Sequence, residues 1–218
     1  MPIDRRRFIG ASLAAGAAAV APRVLARPQH LPVAPAPAPG LAPVPAAAER
    51  PPLLEEALAA LDTHSHRLVQ RDRIGLVDFA AHSREPRFHL VDVAGGRIER
   101  TWLVAHGSGS DPAATGMLQR FSNLPGSNAS SRGAYLTANT YYGKHGRSQR
   151  MIGLDPDNDH ALDRAIVIHG APYVDPALID AQGRIGRSQG CFAVELSEIA
   201  EVMERLGEGR MIYAGKAA

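Results

Sequence analysis

The chain has 218 residues, a formal charge of +2 and a single cysteine. One cysteine excludes a disulfide within the chain, and the length suits about one folded domain together with a leader or a linker. The positive charge lies at the N-terminus: residues 1–26 hold four arginines and one aspartate, and their removal lowers the formal charge to −1. We therefore expect no binding to nucleic acid and no attraction to an anionic membrane.

The N-terminus has the features of an export signal. The sequence RRRFI at residues 5–9 fits a twin-arginine pattern, and an apolar stretch continues to Ala21. This stretch is shorter than the roughly 20 apolar residues that span a bilayer. Small residues before and at Ala26 predict cleavage after that position. We predict a twin-arginine signal peptide over residues 1–26, a location in the periplasm or cell envelope, and no membrane anchor after cleavage.

The next segment has the composition of a linker. Residues 27–52 are rich in proline and alanine and show no repeating apolar face. Such sequences form extended polyproline-type tethers and cannot build a packed core. We predict a linker over residues 27–52 and one folded domain over residues 53–218.

The domain is predicted to start with a helix. Leucine and alanine recur at helical spacing in LLEEALAALDTHSHRLV, residues 53–69. His64 and His66 follow in this stretch, and residues two apart do not share a helix face. We therefore expect both histidines on the surface and no metal site formed by the pair.

The middle of the domain is predicted to be β-rich. The runs IGLVDFA (74–80) and RFHLVDVAGGRIERTWLVAHG (87–107) read as strands, with a two-residue hairpin turn at Gly95 and Gly96. Three further strand candidates are GAYLTANTYYG (133–143), QRMIGLD (149–155) and RAIVIHGA (164–171). The last run is apolar and β-branched, which predicts a buried strand that ends at His169.

A final helix is predicted in ELSEIAEVMERLGEG, residues 195–209. Ser197 is its expected N-cap and Gly207 its expected end, and Leu196 and Ile199 begin its apolar face. The helix starts several residues after Cys191. The helix dipole therefore cannot be assumed to activate the thiol, and a base is needed.

Cys191 and His169 are the leading candidates for chemistry. A lone, unpaired thiol in an exported protein favours a chemical role for the cysteine. Only the thiolate is a nucleophile, and a neighbouring imidazole can take the thiol proton. An ion pair with His169 is expected to lower the thiol pKa. The residues alone also allow the alternative that Cys191 is a buried structural cysteine and that His169 is unrelated to it.

These segments resemble a known family. IVIHGAPYV (166–174) followed by GRIGRSQGCFAV (183–194) is similar to the histidine and S-x-G-C signature of the murein L,D-transpeptidases. FSNLPGSNASSRGAYLTANTYYGKHGRS (121–148) fits one branch of that family. The resemblance implies a mainly β, YkuD-like β-sandwich or barrel catalytic domain with a few flanking helices. The chain departs from the usual signature at Gln189, where the family commonly has histidine, and at the two residues after the cysteine.

The resemblance implies cysteine-dependent acyl transfer on the peptide stems of peptidoglycan, as an L,D-transpeptidase or, with water as acceptor, an L,D-carboxypeptidase. It also implies acylation by carbapenem-type inhibitors, without a cofactor or a metal ion. The implied catalytic residues are Cys191 as nucleophile, His169 as general base and acid, Ser188 as an orienting group and the backbone N–H of Gly190 in the oxyanion hole. The expected substrate-binding residues are Arg187, Gln189, Gly170, His106 and His145.

Three other functions use some of the same residues or the same fold. A catalytically inactive peptidoglycan-binding or anchoring domain would keep the fold, and the altered signature around Cys191 favours it. A zinc peptidase could draw on His106, His145 and His169, although no H-E-x-x-H helix organises them. Papain-like wall endopeptidases are excluded by chain order, because no histidine follows the cysteine.

Overall fold

The described part of the chain covers residues 50–217 of a computed structural model. The predicted signal peptide and the predicted linker up to residue 49 lie outside these residues. All described residues belong to one structural unit. None of the helices found in residues 50–217 has both the length and the apolar character needed to cross a bilayer.

The helices are α1 (Leu54–Thr63), α2 (Pro176–Gln182) and α3 (Ile199–Leu206). The first confirms the predicted N-terminal helix, and its buried face is formed by leucine and alanine. His64, expected on the surface, is instead largely buried: its side chain is 12% exposed and its Nε2 lies 2.7 Å from Asp155 Oδ1. This hydrogen bond gives the partly buried imidazole a polar partner, whereas His66 is exposed as expected.

The mainly β prediction is confirmed, because eight strands form one sheet in the order β3-β2-β1-β8-β4-β5-β6-β7. Pairs β1–β8 and β6–β7 are parallel and the other neighbours are antiparallel. The strands β7 and β8 and the helix α2 were not predicted from the sequence. The strands are β1 (Arg73–Asp78), β2 (Phe88–Asp92), β3 (Arg97–Trp102), β4 (Gly133–Gly143), β5 (Gly146–Gly153), β6 (Val167–Gly170), β7 (Phe192–Val194) and β8 (Met211–Gly215).

The chain that leaves β3 links the two edges of the sheet. The Ala105 N–H donates to the Ala193 carbonyl in β7 at 2.9 Å, and the Ser108 N–H donates to the Ser188 carbonyl at 2.8 Å. Since β3 and β7 are the two end strands, these bonds close the sheet around its core. Closure of this kind matches the expected sandwich or barrel and leaves few unpaired strand edges.

The one turn predicted from the sequence differs from the structure. The two-residue turn at Gly95 and Gly96 is wrong: β2 and β3 are joined by residues 93–96, and the Gly96 N–H donates to the Asp92 carbonyl at 2.8 Å. Gly96 has φ of 61°, which a glycine adopts without strain. The tight two-residue turn lies instead between β4 and β5, where Lys144 and His145 form its tip.

The start of α3 was also predicted wrongly. Its N-cap position is Glu198, while the Ser197 hydroxyl donates to the Glu195 carboxylate at 2.5 Å. Ser197 is therefore engaged outside the helix, and Leu196 is 56% exposed and does not join the apolar face. Gly207 ends the helix as predicted.

We expect the substitution Phe88→Ala to destabilise the fold by about 3–5 kcal/mol, because it deletes a large, fully buried side chain. The Phe88 ring packs against the Trp102 ring with centroids 5.4 Å apart, so the substitution would leave an empty space beside Trp102. Urea denaturation measures the loss. Leu124→Ala, at a side chain 71% exposed, is the control and should change stability by less than about 0.5 kcal/mol. Equal losses for the two variants would contradict the assignment of this core.

Candidate active site

The register of β6 and β7 places the two leading candidates on one face of the sheet. The strands pair in parallel with Ile168 opposite Phe192 and His169 opposite Ala193. Side chains alternate along a strand, so Phe192 enters the core and residue 191 continues the face on which His169 lies. The sequence thus delivers a histidine and a cysteine to the same surface from neighbouring strands.

Both residues line a cavity of about 310 Å³. The cavity joins the tip of the β4–β5 hairpin, the end of β6 and the loop that precedes β7. Six residues predicted for the site from the sequence lie in it. The complete lining is Lys144, His145, His169, Tyr173, Arg187, Ser188, Gln189 and Cys191.

His169 is held as a neutral base. Its Nδ1 lies 3.0 Å from the Gly170 carbonyl, which can only accept, so Nδ1 carries the proton and Nε2 is left as an acceptor. Burial is the main cause that lowers the pKa of His169 below its ordinary value, and nearby His145 and Lys144 lower it further. The ring stacks on His145 with centroids 4.3 Å apart and an angle of 24°.

Cys191 is held as a neutral thiol. Burial raises its pKa above the ordinary value and outweighs the opposing effects of the Val167 backbone, Arg164 and Lys144. The Sγ atom lies 3.6 Å from the Ala165 carbonyl, to which the thiol can donate. Burial thus favours the uncharged form of both partners, which opposes the expected resting ion pair with a lowered thiol pKa.

The loop before β7 is shaped by Ser188. Its hydroxyl donates to the Cys191 carbonyl at 2.8 Å and accepts the Gly190 N–H at 3.1 Å. The Gly190 N–H, which is predicted for the oxyanion hole, thus already donates to Ser188 in this structure. Gly190 itself has φ of 111°, and a Cβ there would lie 2.7 Å from the Ala129 carbonyl, so only glycine fits.

Gly170 does not face the cavity. It is buried, and a Cβ built on it would lie 3.1 Å from Leu196 Cδ2 and 3.2 Å from Ile199 Cγ2. The predicted substrate contact is therefore wrong, because the open side of this glycine is filled by the start of α3. Its contribution is the carbonyl that orients His169.

His106 is also remote from the cavity. It is fully buried, with Nδ1 2.8 Å from Arg87 Nη2 and Nε2 3.4 Å from Asp111 Oδ2. Since the guanidinium donates to Nδ1, the other nitrogen carries the proton. Burial, followed by the charge of Arg87, lowers the pKa of His106 to about 4. The predicted role in the substrate groove is wrong, because both ring nitrogens are used inside the protein.

The described residues do not provide the ligand set that the zinc peptidase alternative requires. Within residues 50–217, no three histidine, cysteine, aspartate or glutamate side chains are grouped as a metal site would require. His106 lies in the buried network with Arg87, whereas His145 and His169 stack at the cavity. The three histidines therefore do not meet.

Two cavity residues were missed in the sequence. Tyr173 lies in IVIHGAPYV, four residues after His169, and burial raises its pKa to about 12. Lys144 precedes His145 in GKHGRS, at the hairpin tip. Both lie inside the motifs that carry His169 and His145, and their closeness to these histidines in the sequence is the signal that points to them.

Several solved structures are similar to this chain. One is an L,D-transpeptidase from Mycobacterium smegmatis, 15% identical over 66% of this chain and 58% of the other, with a TM-score of 0.40. Another is L,D-transpeptidase 3 from Mycobacterium tuberculosis in complex with a faropenem-derived adduct. It is 11% identical over 66% of this chain and 60% of the other, with a TM-score of 0.42. A third is the helical cell shape determining protein Pgp2 from Campylobacter jejuni. It is 13% identical over 69% of this chain and 49% of the other, with a TM-score of 0.44. The chain thus spans less than two thirds of the length of each of these structures.

The family assignment rests on the sequence itself and not on these distant structural similarities. No curated protein matches the chain at a significant level. A family model described as the L,D-transpeptidase catalytic domain matches residues 47–214, which is most of the chain. The protein therefore belongs to the L,D-transpeptidase catalytic domain family.

Proposed function

We propose that the protein is a cysteine-dependent acyltransferase that acts on the peptide stems of peptidoglycan, as an L,D-transpeptidase of the cell envelope. The observation that carries this proposal is the cavity shared by Cys191 and His169, in which the imidazole presents an unprotonated Nε2. Family membership supports the reaction class. The twin-arginine pattern over residues 1–26 supports export to the periplasm.

In the first half-reaction, Cys191 Sγ attacks the carbonyl at the L-configured centre of a diamino acid in a tetrapeptide stem. His169 Nε2 takes the thiol proton as the C–S bond forms, because the resting pair is neutral. Collapse of the tetrahedral intermediate breaks the C–N bond to the terminal D-alanine. His169 gives the proton to the leaving amine, and a thioester remains on the enzyme.

In the second half-reaction, an amine of another stem attacks the thioester carbonyl. His169 accepts a proton from this amine and returns it to the departing sulfur, so the enzyme is regenerated and a cross-link is formed. When water attacks instead, the product is a shortened stem with a free carboxylate. The same groups therefore serve an L,D-carboxypeptidase reaction.

The backbone around the nucleophile assists both steps. With the Gly190 N–H bound to Ser188, we assign the oxyanion contact to the N–H of Cys191, a donor of the kind worth roughly 3 kcal/mol in other acyl-transfer sites. Ser188 acts by holding the loop through its two hydrogen bonds. Arg187, at the cavity wall, is suited to a carboxylate of the stem.

The substitution Cys191→Ala should abolish the release of D-alanine from purified tetrapeptide stems, since it removes the nucleophile. His169→Ala should lower the rate by about 10²–10⁴, the usual contribution of a general base. Released D-alanine is measured by an enzymatic assay. His66→Ala, at an exposed histidine away from the cavity, is the control and should keep the wild-type rate. Wild-type release by the Cys191→Ala protein would refute the nucleophile assignment, and a loss on chelation restored by zinc would favour a metallopeptidase.

The thiol should titrate at higher pH in the folded protein than in the unfolded chain, because burial raises the pKa of Cys191. Iodoacetamide alkylation measures this, and the single cysteine makes the signal specific. The urea-denatured protein is the reference, and its alkylation midpoint should lie at lower pH. D-alanine release should in turn persist below the ordinary pKa of histidine and fall only where His169 is protonated, since its pKa is lowered. A folded midpoint below the denatured one would indicate a resting ion pair.

A carbapenem should acylate Cys191, because the strained lactam carbonyl imitates the acyl donor. The thiol sulfur bonds to that carbonyl, the lactam C–N bond opens and the ring nitrogen receives the proton, so the whole mass of the inhibitor is added. Intact-protein mass spectrometry should show one adduct, mapped by digestion to the peptide with Cys191. His169→Ala should slow its formation strongly, while His66→Ala should not. The absence of an adduct on native protein would favour the inactive peptidoglycan-binding domain.

A further inference from the structure

A further cation lies behind the nucleophile and outside the cavity. Arg164 belongs to the turn that leads into β6, is half-buried and does not line the cavity. Its Nη1 donates to the Ser122 carbonyl at 2.9 Å and to the Ser131 hydroxyl at 2.6 Å, and its Nη2 donates to the Ala129 carbonyl at 2.5 Å. Three such bonds fix a planar guanidinium in position. Arg164 therefore joins the turn before β6 to both ends of the segment 122–131.

The same turn contacts the nucleophile loop, residues 186–191. A Cβ built on Gly190 would lie 3.1 Å from Arg164 Nη2, so the guanidinium packs directly against this glycine. The next residue of the turn, Ala165, supplies the carbonyl that lies 3.6 Å from Cys191 Sγ. Two adjacent residues thus support the loop from behind, one through its side chain and the other through its main chain.

The positive charge of Arg164 acts on the reacting sulfur. It lowers the pKa of Cys191, although burial outweighs this effect, and Cys191 in turn raises the pKa of Arg164. The two shifts describe one attraction and agree in sign. Among the charges of residues 50–217 that act on Arg164 there is no carboxylate. Because arginine stays charged at neutral pH, an uncancelled cation lies behind the thiol.

We propose that Arg164 is a positioning residue of the acyl transfer, which braces the nucleophile loop against the segment 122–131 and holds a fixed positive charge behind Cys191. The inference rests on the proposed function for the nature of the reaction. Negative charge lies on Sγ when the thiol proton passes to His169, and again when the thioester breaks. A preorganised cation stabilises this charge without reorganisation. Arg164 therefore acts on the rate of the chemical steps and not on donor binding.

The substitution Arg164→Met removes the charge and the hydrogen bonds. It should lower kcat for D-alanine release by about tenfold to a hundredfold with little change in KM, because the lost interaction counts in the transition state. Arg164→Lys should recover part of the rate, since an ammonium keeps the charge but cannot form the planar fork. Carbapenem acylation, followed by intact-protein mass spectrometry, should slow in the same order.

Titration of the thiol with iodoacetamide separates this role from a merely structural one. The charged or titratable groups that face Cys191 across the cavity or from behind it are His169, Tyr173, Lys144, Arg187 and Arg164. Loss of the Arg164 charge should raise the alkylation midpoint of Arg164→Met above the wild-type value, because this charge lowers the thiol pKa. A merely loosened loop would expose the thiol and move the midpoint down, toward that of the urea-denatured chain.

Arg120→Gln is the matched control. Arg120 is exposed, its Nε donates to the Gly109 carbonyl at 3.0 Å, and it is not among the groups that shift the pKa of Cys191. This variant also loses a guanidinium bond to the main chain, yet it should keep the wild-type kcat and alkylation midpoint. Circular dichroism of each variant checks that the fold is intact.

An alkylation midpoint of Arg164→Met at or below the wild-type value would overturn the proposal, and so would an unchanged kcat. Should Arg164→Met fail to fold, Arg164→Lys decides: a lowered kcat with a midpoint close to wild type supports the proposal, and a wild-type kcat overturns it. If the wild-type protein releases no D-alanine from tetrapeptide stems, the proposed function fails. The order of the alkylation midpoints then still decides whether Arg164 holds a charge behind Cys191.

Discussion

The parallel pairing of β6 with β7 is the constraint on which the site depends. It fixes His169 opposite Ala193 and so places Cys191 on the same face, one strand away. The pairing is supported from the other side, where the Ala105 N–H bonds the Ala193 carbonyl and the His106 carbonyl accepts the Ser188 N–H at 2.9 Å. The nucleophile loop is therefore held between two backbone partners, and ordinary sheet hydrogen bonds bring Cys191 and His169 to one cavity.

A buried polar network stabilises the segment around His106, which bonds the nucleophile loop from the second side. Arg87 is fully buried and donates to the Val104 carbonyl and to His106. Burial lowers the pKa of Arg87 to about 9, so it stays charged at neutral pH, with Asp78 and Asp111 opposing the effect. Burial raises the pKa of Asp111, but hydrogen bonds from Thr115 and Gly116 lower it overall. One cation, one anion and a neutral imidazole thus satisfy each other behind the loop, which is how buried charges are tolerated.

Burial also sets the chemistry of the cavity. It lowers the pKa of His169 and raises that of Cys191, so both groups rest in their uncharged forms. A neutral thiol is a poor nucleophile, and this limits side reactions until a carbonyl is in place. The Ala165 carbonyl receives the thiol, and Ala165 has φ of 53°, a conformation that alanine seldom adopts. Strain of this kind is often found where a backbone group must be aimed at a functional atom.

The sequence by itself determined the mainly β class, the first helix and six of the eight strands, and it pointed to Cys191 and His169, because apolar periodicity and a unique thiol are local signals. It also indicated Ser188, Arg187, Gln189 and His145, which the cavity brings together. Tertiary structure alone decided the rest. His106 and Gly170 lie in the same kind of glycine-flanked motif as the residues that line the cavity. His106, however, is hydrogen-bonded to Arg87, and Gly170 is covered by side chains at the start of α3. The protonation state of the pair was likewise beyond sequence reasoning, because a pKa depends on burial and on neighbours such as Lys144 that only the folded chain brings close.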